Sequence, residues 1–142
     1  MGNIFWGALW VFMTALIFYN SSLPAEVSDE ISYSVVGLVS WINAFLDKPV
    51  PSPVMNHIIR KASHFSEFFV QTLLLCKAFR AFRVSLKTAS GYILLLCLMT
   101  AVTDEFIQLY TPGRSGQVTD IMLDFSGGFC AWLLYQVWNR IK

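Results

Sequence analysis

Acidic residues and a histidine stand at helical spacing in this chain, and their types suit acid–base chemistry. His64 lies three residues before Glu67, and Asp120 lies four residues before Asp124. Residues three or four apart share one face of a helix, so each pair can point at a common site. An imidazole oriented by a carboxylate is a general base, which predicts that role for His64 with Glu67. Glu105 or Asp120 would then be the acid.

Fixed cations and an amide complete this group of side chains. Arg60 precedes His64 by four residues, and Arg114 follows the turn residues Pro112 and Gly113. Guanidinium groups bind phosphates and carboxylates in bidentate geometry, so Arg114 or Lys61 could hold an anionic headgroup. The predicted substrate-binding residues are Arg60, Lys61, Asp104, Gln108, Arg114 and Asp124.

Other kinds of site are less well supported by the residue spacing. One histidine with several carboxylates can bind a divalent cation, but the spacing matches no strong metal motif and the three cysteines are far apart. We therefore expect no metal and no other cofactor. Two further interpretations stay open: ion pairs that only hold helices together, and a proton relay in a small transporter. The residues alone do not decide between an enzyme and a binding protein.

The composition indicates that these polar groups belong to a membrane protein. Of the 142 residues, 56% are hydrophobic and 13% are charged, whereas a soluble domain has about 25% charged residues. Apolar runs long enough to cross a bilayer as helices occur at about 3–19, 56–79, 89–110 and 119–138. We predict an all-α fold, a single domain over 1–142 with four transmembrane helices. No basic patch suited to nucleic acid is present.

The stretch 26–46 predicts a different kind of helix. Val27, Ile31, Val35 and later apolar residues recur at steps of three and four, which is typical of an amphipathic helix. We expect it to lie at the outer side of the bundle, with a fifth spanning helix as the alternative. The proline-rich segment 48–53 predicts a linker after it.

The distribution of cations predicts the orientation in the membrane. Lys77, Arg80, Arg83 and Lys87 surround the loop between the second and third spans without an acidic neighbour. Excess positive charge marks the cytoplasmic side. Both termini would therefore be cytoplasmic, and the polar ends of the last three spans would all face outside.

Taken together, these motifs resemble the VanZ-like family over about residues 12–135. The resemblance rests on Arg60-Lys61-x-x-His64-Phe65-x-Glu67-Phe68, Asp104-Glu105-x-x-Gln108, Pro112-Gly113-Arg114-Ser115-Gly116-Gln117-Val118-x-Asp120 and Asp124-x-x-Gly127. That family is named after a small membrane protein that gives low-level resistance to the lipoglycopeptide teicoplanin in Gram-positive bacteria. The resemblance implies a cell-envelope protein that reduces the action of lipoglycopeptides such as teicoplanin. We expect its polar residues to bind or modify an amphiphile, namely a membrane lipid, a lipid-linked wall precursor or the antibiotic. It does not predict the oligomeric state.

Overall fold

The computed structural model describes residues 2–43 and 51–141, which form five α-helices and no strand within those ranges. The all-α prediction is therefore confirmed, and each predicted segment corresponds to one helix. The end of the predicted amphipathic helix, 44–46, and the linker residues 48–50 lie outside the described residues. The helices are α1 Gly2–Ser22, α2 Ala25–Asn43, α3 Ser52–Ala81, α4 Leu86–Leu109 and α5 Val118–Ile141.

The linker was predicted to continue to residue 53, and this end of the prediction is wrong. Helix α3 already begins at Ser52, four residues before the predicted start of the second span, and Pro53 lies in its first turn. Proline is tolerated there because the first backbone N–H groups of a helix have no intrahelical acceptor to lose.

Two of the five described helices have the length and apolar composition needed to cross a membrane. They are Ile4–Ser22 in α1 and Leu86–Leu109 in α4. Helix α3 carries Arg60, Lys61 and Glu67, and α5 begins with acidic residues, so both are more polar at one end.

Helix α3 is the centre of the fold, since it packs against each of the other four helices. One core cluster joins Ile17 of α1, Phe68 of α3 and Cys97 of α4. A second cluster, around Cys76 and Ile93, lies closer to the α3–α4 turn. The apolar core therefore extends from beside the polar ends of the helices toward the α3–α4 turn.

Two adjacent glycines let α5 approach its neighbours closely. A Cβ atom on Gly127 would collide with the backbone carbonyl of Phe65, and one on Gly128 would collide with Cys97 and Thr72. Asp124 lies about one turn before these glycines, so the close contact carries its carboxyl group into the space between α3 and α4.

Helix α2 is amphipathic, but its apolar stripe does not face the other helices. Val27, Ile31 and Val35 are 40%, 58% and 41% exposed, whereas Ser32 and Val36 are buried. The stripe is left at the surface, where a lipid or detergent environment could cover it.

The basic α3–α4 turn and the candidate site residues lie at opposite ends of the bundle. The ammonium of Lys77 lies 4.4 Å from the ring centre of Trp6, which places the start of α1 beside the basic α3–α4 turn. Because α1, α3, α4 and α5 run alternately up and down, the other end holds the end of α1, the first half of α3, the end of α4 and the start of α5.

Candidate functional site

The loop after α4 is fixed to the end of α1 by Arg114. Its Nε donates to the carbonyl of Leu23 at 2.9 Å, and its Nη2 donates to that of Asn20 at 3.0 Å. The last carbonyls of a helix have no intrahelical donor, so this guanidinium caps α1. Burial is the main cause that lowers the pKa of Arg114, and the nearby Arg60 lowers it further. A guanidinium stays protonated in proteins and has five N–H donors, so others remain for a ligand.

Asp104 is a fully enclosed acid of the site. Its side chain is fully buried, accepts a short hydrogen bond from the Ser21 hydroxyl at Oδ1, and accepts one from Gln108 Nε2 at 2.9 Å at Oδ2. Gln108 Nε2 also donates to Glu105 Oε1 at 3.1 Å. The predicted Asp104–Gln108 face of α4 is therefore one hydrogen-bonded unit that reaches the end of α1.

His64 faces two buried carboxylates. Its Nδ1 lies 4.0 Å from Asp104 Oδ2 and 3.9 Å from Asp124 Oδ1. Asp124 is fully buried and neither of its oxygens has a hydrogen-bond partner among the described residues. Three helices thus bring one imidazole and two carboxylates together.

Glu67 was predicted to orient His64, but it is directed elsewhere. Its Oε1 accepts a hydrogen bond of 2.7 Å from Asn20 Nδ2 on α1. Although Glu67 and His64 are three residues apart on α3, the carboxylates nearest the imidazole come from α4 and α5. The hydrogen bond from Asn20 holds the Glu67 carboxylate toward α1 and away from the imidazole.

Glu105, a predicted acid, instead bonds to the loop before α5. Its Oε2 accepts from the backbone N–H of Gln117 at 2.8 Å, and its side chain is only 3% exposed. Gly116 passes so close to the backbone of Glu105 that a Cβ would lie 2.6 Å from its carbonyl oxygen. Glu105 therefore holds the start of α5 against the end of α4.

The two remaining cations form ion pairs between helices. Arg60 Nη1 lies 2.9 Å from Asp29 Oδ1 on α2, and Lys61 pairs with Asp120 on α5. Both pairs are partly exposed. They join α2 and α5 to the first half of α3. Asp120 therefore pairs with Lys61 and not with the imidazole of His64.

Two cavities open beside these side chains. One of about 150 Å³ lies among α1, α2 and α3, and another of about 180 Å³ lies among α3, α4 and the loop before α5. Arg60, His64 and Arg114 line both cavities. The first also reaches Glu67 and the second reaches Lys61, Gln108 and Asp120, so most of the predicted set lines one or both of these cavities.

The sequence reasoning missed three residues that complete the site. Ser21 and Asn20 end the apolar run of α1 and bond to Asp104 and Glu67, and Asp29 pairs with Arg60. Polar residues at the end of an apolar span were the available signal for Asn20 and Ser21. Asp29 had no such signal, because an acidic residue near the start of a helix is already explained by the helix dipole.

No metal ligand was predicted from the sequence, whereas the structure brings three possible metal ligands together. One donor atom each from His64, Asp104 and Asp124 lies within 4.8 Å of the others. Each ligand comes from a different helix, so no spacing along the chain could reveal the set.

The family model described as VanZ/LLP1 matches residues 5–139, which is nearly the whole chain. No curated protein and no solved structure matches it.

Proposed function

Because this chain belongs to the VanZ/LLP1 family, we propose that it is a cell-envelope protein that crosses the cytoplasmic membrane four times, through α1, α3, α4 and α5. Both termini would be cytoplasmic and α2 would lie at the outer side. The cations around the α3–α4 turn support this orientation, since positive charge favours the cytoplasmic side. The ion pairs and enclosed acids of α3 and α5 support their insertion, because their charges face protein partners instead of lipid.

The function that fits this geometry is binding of an anionic amphiphile at the outer membrane face. The observation that carries it is the pair of cavities that share Arg60 and Arg114. Arg114 is held in place by two backbone carbonyls, so it is ordered before a ligand arrives. A pre-organised guanidinium loses less conformational freedom on binding than a free one. The exposed apolar stripe of α2 is available beside the cavity for an acyl chain.

The biological effect we propose is a lower sensitivity to lipoglycopeptide antibiotics such as teicoplanin. The protein would bind or modify the acylated drug, a membrane lipid or a lipid-linked wall precursor at the depth where these amphiphiles lie. Family membership supports a cell-envelope role of this kind.

The test is expression of the full chain in a teicoplanin-susceptible Gram-positive host. We expect a higher minimum inhibitory concentration of teicoplanin than with an empty vector. Arg60→Gln should abolish the increase, because it removes a charged donor from both cavities. Lys87→Gln, an exposed cation at the start of α4, is the control and should keep the increase.

Binding is measured on the same variants in nanodiscs, with teicoplanin and with a glycopeptide that has no acyl chain. Loss of one charged hydrogen bond should weaken teicoplanin binding by about tenfold or more. Equal inhibitory concentrations with wild type and empty vector would reject the resistance role. Unchanged binding in Arg60→Gln would reject the cavities as the binding site.

A second candidate, a membrane-embedded hydrolase or transferase with His64 as base, is favoured by one observation. The imidazole lies at the cavity wall with two buried carboxylates within 4.0 Å. If His64→Ala protein binds teicoplanin normally but gives no resistance, chemistry is favoured over binding. If it loses binding, the binding role is favoured.

A further inference from the structure

Buried polar atoms that have no partner point to a ligand site between α3 and α5. Both carboxylate oxygens of Asp124 and Nδ1 of His64 are buried and have no hydrogen-bond partner among the described residues. An unpaired carboxylate costs several kcal/mol to bury unless something compensates its charge. Asp124 itself is 0% exposed, and the atom that faces it across the gap is Nδ1 of His64.

From this arrangement we propose that His64, Asp104 and Asp124 bind a divalent transition-metal cation such as Zn²⁺ or Mn²⁺. The inference goes beyond the proposed function, because it depends only on these three side chains and holds whatever amphiphile the protein binds.

The distances fit a bridging ion better than direct hydrogen bonds. His64 Nδ1 is 4.0 Å from Asp104 Oδ2 and 3.9 Å from Asp124 Oδ1, whereas an N–H···O hydrogen bond spans about 2.7–3.2 Å. With metal–ligand bonds of about 2.1 Å, adjacent octahedral ligands lie about 3.0 Å apart and opposite ones about 4.2 Å apart. Both His64 separations lie below the upper limit for two ligands of one ion, and all three donor atoms lie within 4.8 Å of one another.

The donor set selects the class of ion. Imidazole suits zinc and other first-row metals, and carboxylates suit manganese, while magnesium and calcium prefer oxygen ligands alone. Two carboxylates also balance the charge of a divalent ion, so the filled site would be close to neutral in an environment where net charge is costly.

Asp104 has the supporting contacts expected of a metal ligand. Ser21 donates to its Oδ1 and Gln108 donates to its Oδ2, so the carboxylate is held with one face toward His64. Hydrogen bonds that orient a ligand in this way are typical of metal sites. Asp124 lacks such contacts, which leaves both its oxygens available to the ion.

Three protein ligands would leave at least one coordination position for water or for a group in the cavities that His64 lines. A cation on Nδ1 would also occupy the lone pair that a base at this atom needs. The metal role and the base role therefore exclude each other at Nδ1 of His64.

The test is metal analysis of the full-length protein. The chain is purified in detergent from cells grown with added zinc or, separately, manganese, dialysed against metal-free buffer, and measured by inductively coupled plasma mass spectrometry. We expect on the order of one ion per chain in the wild type. Asp124→Asn and His64→Gln should lose the ion, and Glu105→Gln should keep it. Glu105 is an equally enclosed acid beside Asp104 whose oxygens already bond to Gln108 and Gln117.

A metal-free wild type from both cultures would overturn the proposal, and so would an ion retained by both Asp124→Asn and His64→Gln. Loss of the ion from folded Glu105→Gln would overturn the assignment to these three ligands. If Asp124→Asn does not fold, His64→Gln decides the matter, because the His64 side chain is partly exposed and tolerates exchange better. If the protein binds the metal but gives no teicoplanin resistance, that result rejects the proposed function and leaves the metal site standing.

Discussion

Nδ1 of His64 lies 3.9 Å from Oδ1 of Asp124, across the contact between α3 and α5. That contact depends on Gly127, whose missing side chain lets α5 approach the backbone of Phe65 one residue beyond His64. Gly127, which has no side chain of its own, thus sets the distance between His64 and Asp124.

Gly127→Ala should destabilise the protein. Its new Cβ would collide with the carbonyl of Phe65, and overpacking of this kind costs about 1–3 kcal/mol. Thermal unfolding followed by tryptophan fluorescence in detergent measures the effect. Gly91→Ala is the matched control, since a Cβ there meets nothing within 4 Å and removing a helical glycine gains about 0.5–1 kcal/mol. A Gly127→Ala protein as stable as wild type would contradict the close helix contact.

Arg114→Lys should lower the free energy of unfolding although it keeps the charge. Lysine cannot donate to the carbonyls of Asn20 and Leu23 with the planar geometry of a guanidinium. Losing one hydrogen bond from a charged group costs about 1.5–3 kcal/mol. Chemical denaturation would measure this loss, with Arg83→Lys in the exposed α3–α4 turn as the control. Equal losses in both variants would mean that Arg114 does not cap α1.

Ser21→Ala should weaken binding of the proposed metal without removing a ligand. The Ser21 hydroxyl orients Asp104, and loss of such an outer contact lowers metal affinity by about 10–100-fold. Titration of metal-free protein with zinc or manganese, followed by calorimetry, gives the affinity. Ser22→Ala is the control, because the adjacent hydroxyl bonds only to the carbonyl of Tyr19 among the described contacts. If both variants bind as tightly as wild type, the role given to Ser21 is wrong.

Lys61 and Asp120 should couple weakly in stability. The ion pair joins α3 to α5, and both side chains are partly exposed, so a coupling energy of about 0.2–1 kcal/mol is expected. A double-mutant cycle with Lys61→Met and Asp120→Asn measures it. High salt should reduce the coupling because mobile ions screen exposed charges. A coupling that does not change with salt would indicate that the pair is shielded from solvent.

Most of the helices could be predicted from local patterns. The apolar run of α1, the amphipathic periodicity of α2 and the helical spacing of Asp104 and Gln108 are properties of short segments. An error arose where a local rule had two solutions, because proline at 53 could end a linker or start a helix.

The sequence by itself determined that the chain is helical and apolar, and that its polar residues gather at the ends of three segments. Only the tertiary structure decided the partners within that group. In the structure, Glu67 accepts a hydrogen bond from Asn20, and Asp120 forms an ion pair with Lys61. The carboxylates that lie opposite His64 are those of Asp104 and Asp124. The reason is that spacing along a helix defines which face a residue shares, whereas contacts between helices depend on their rotation, depth and closeness, which are set by core packing and by residues such as Gly127.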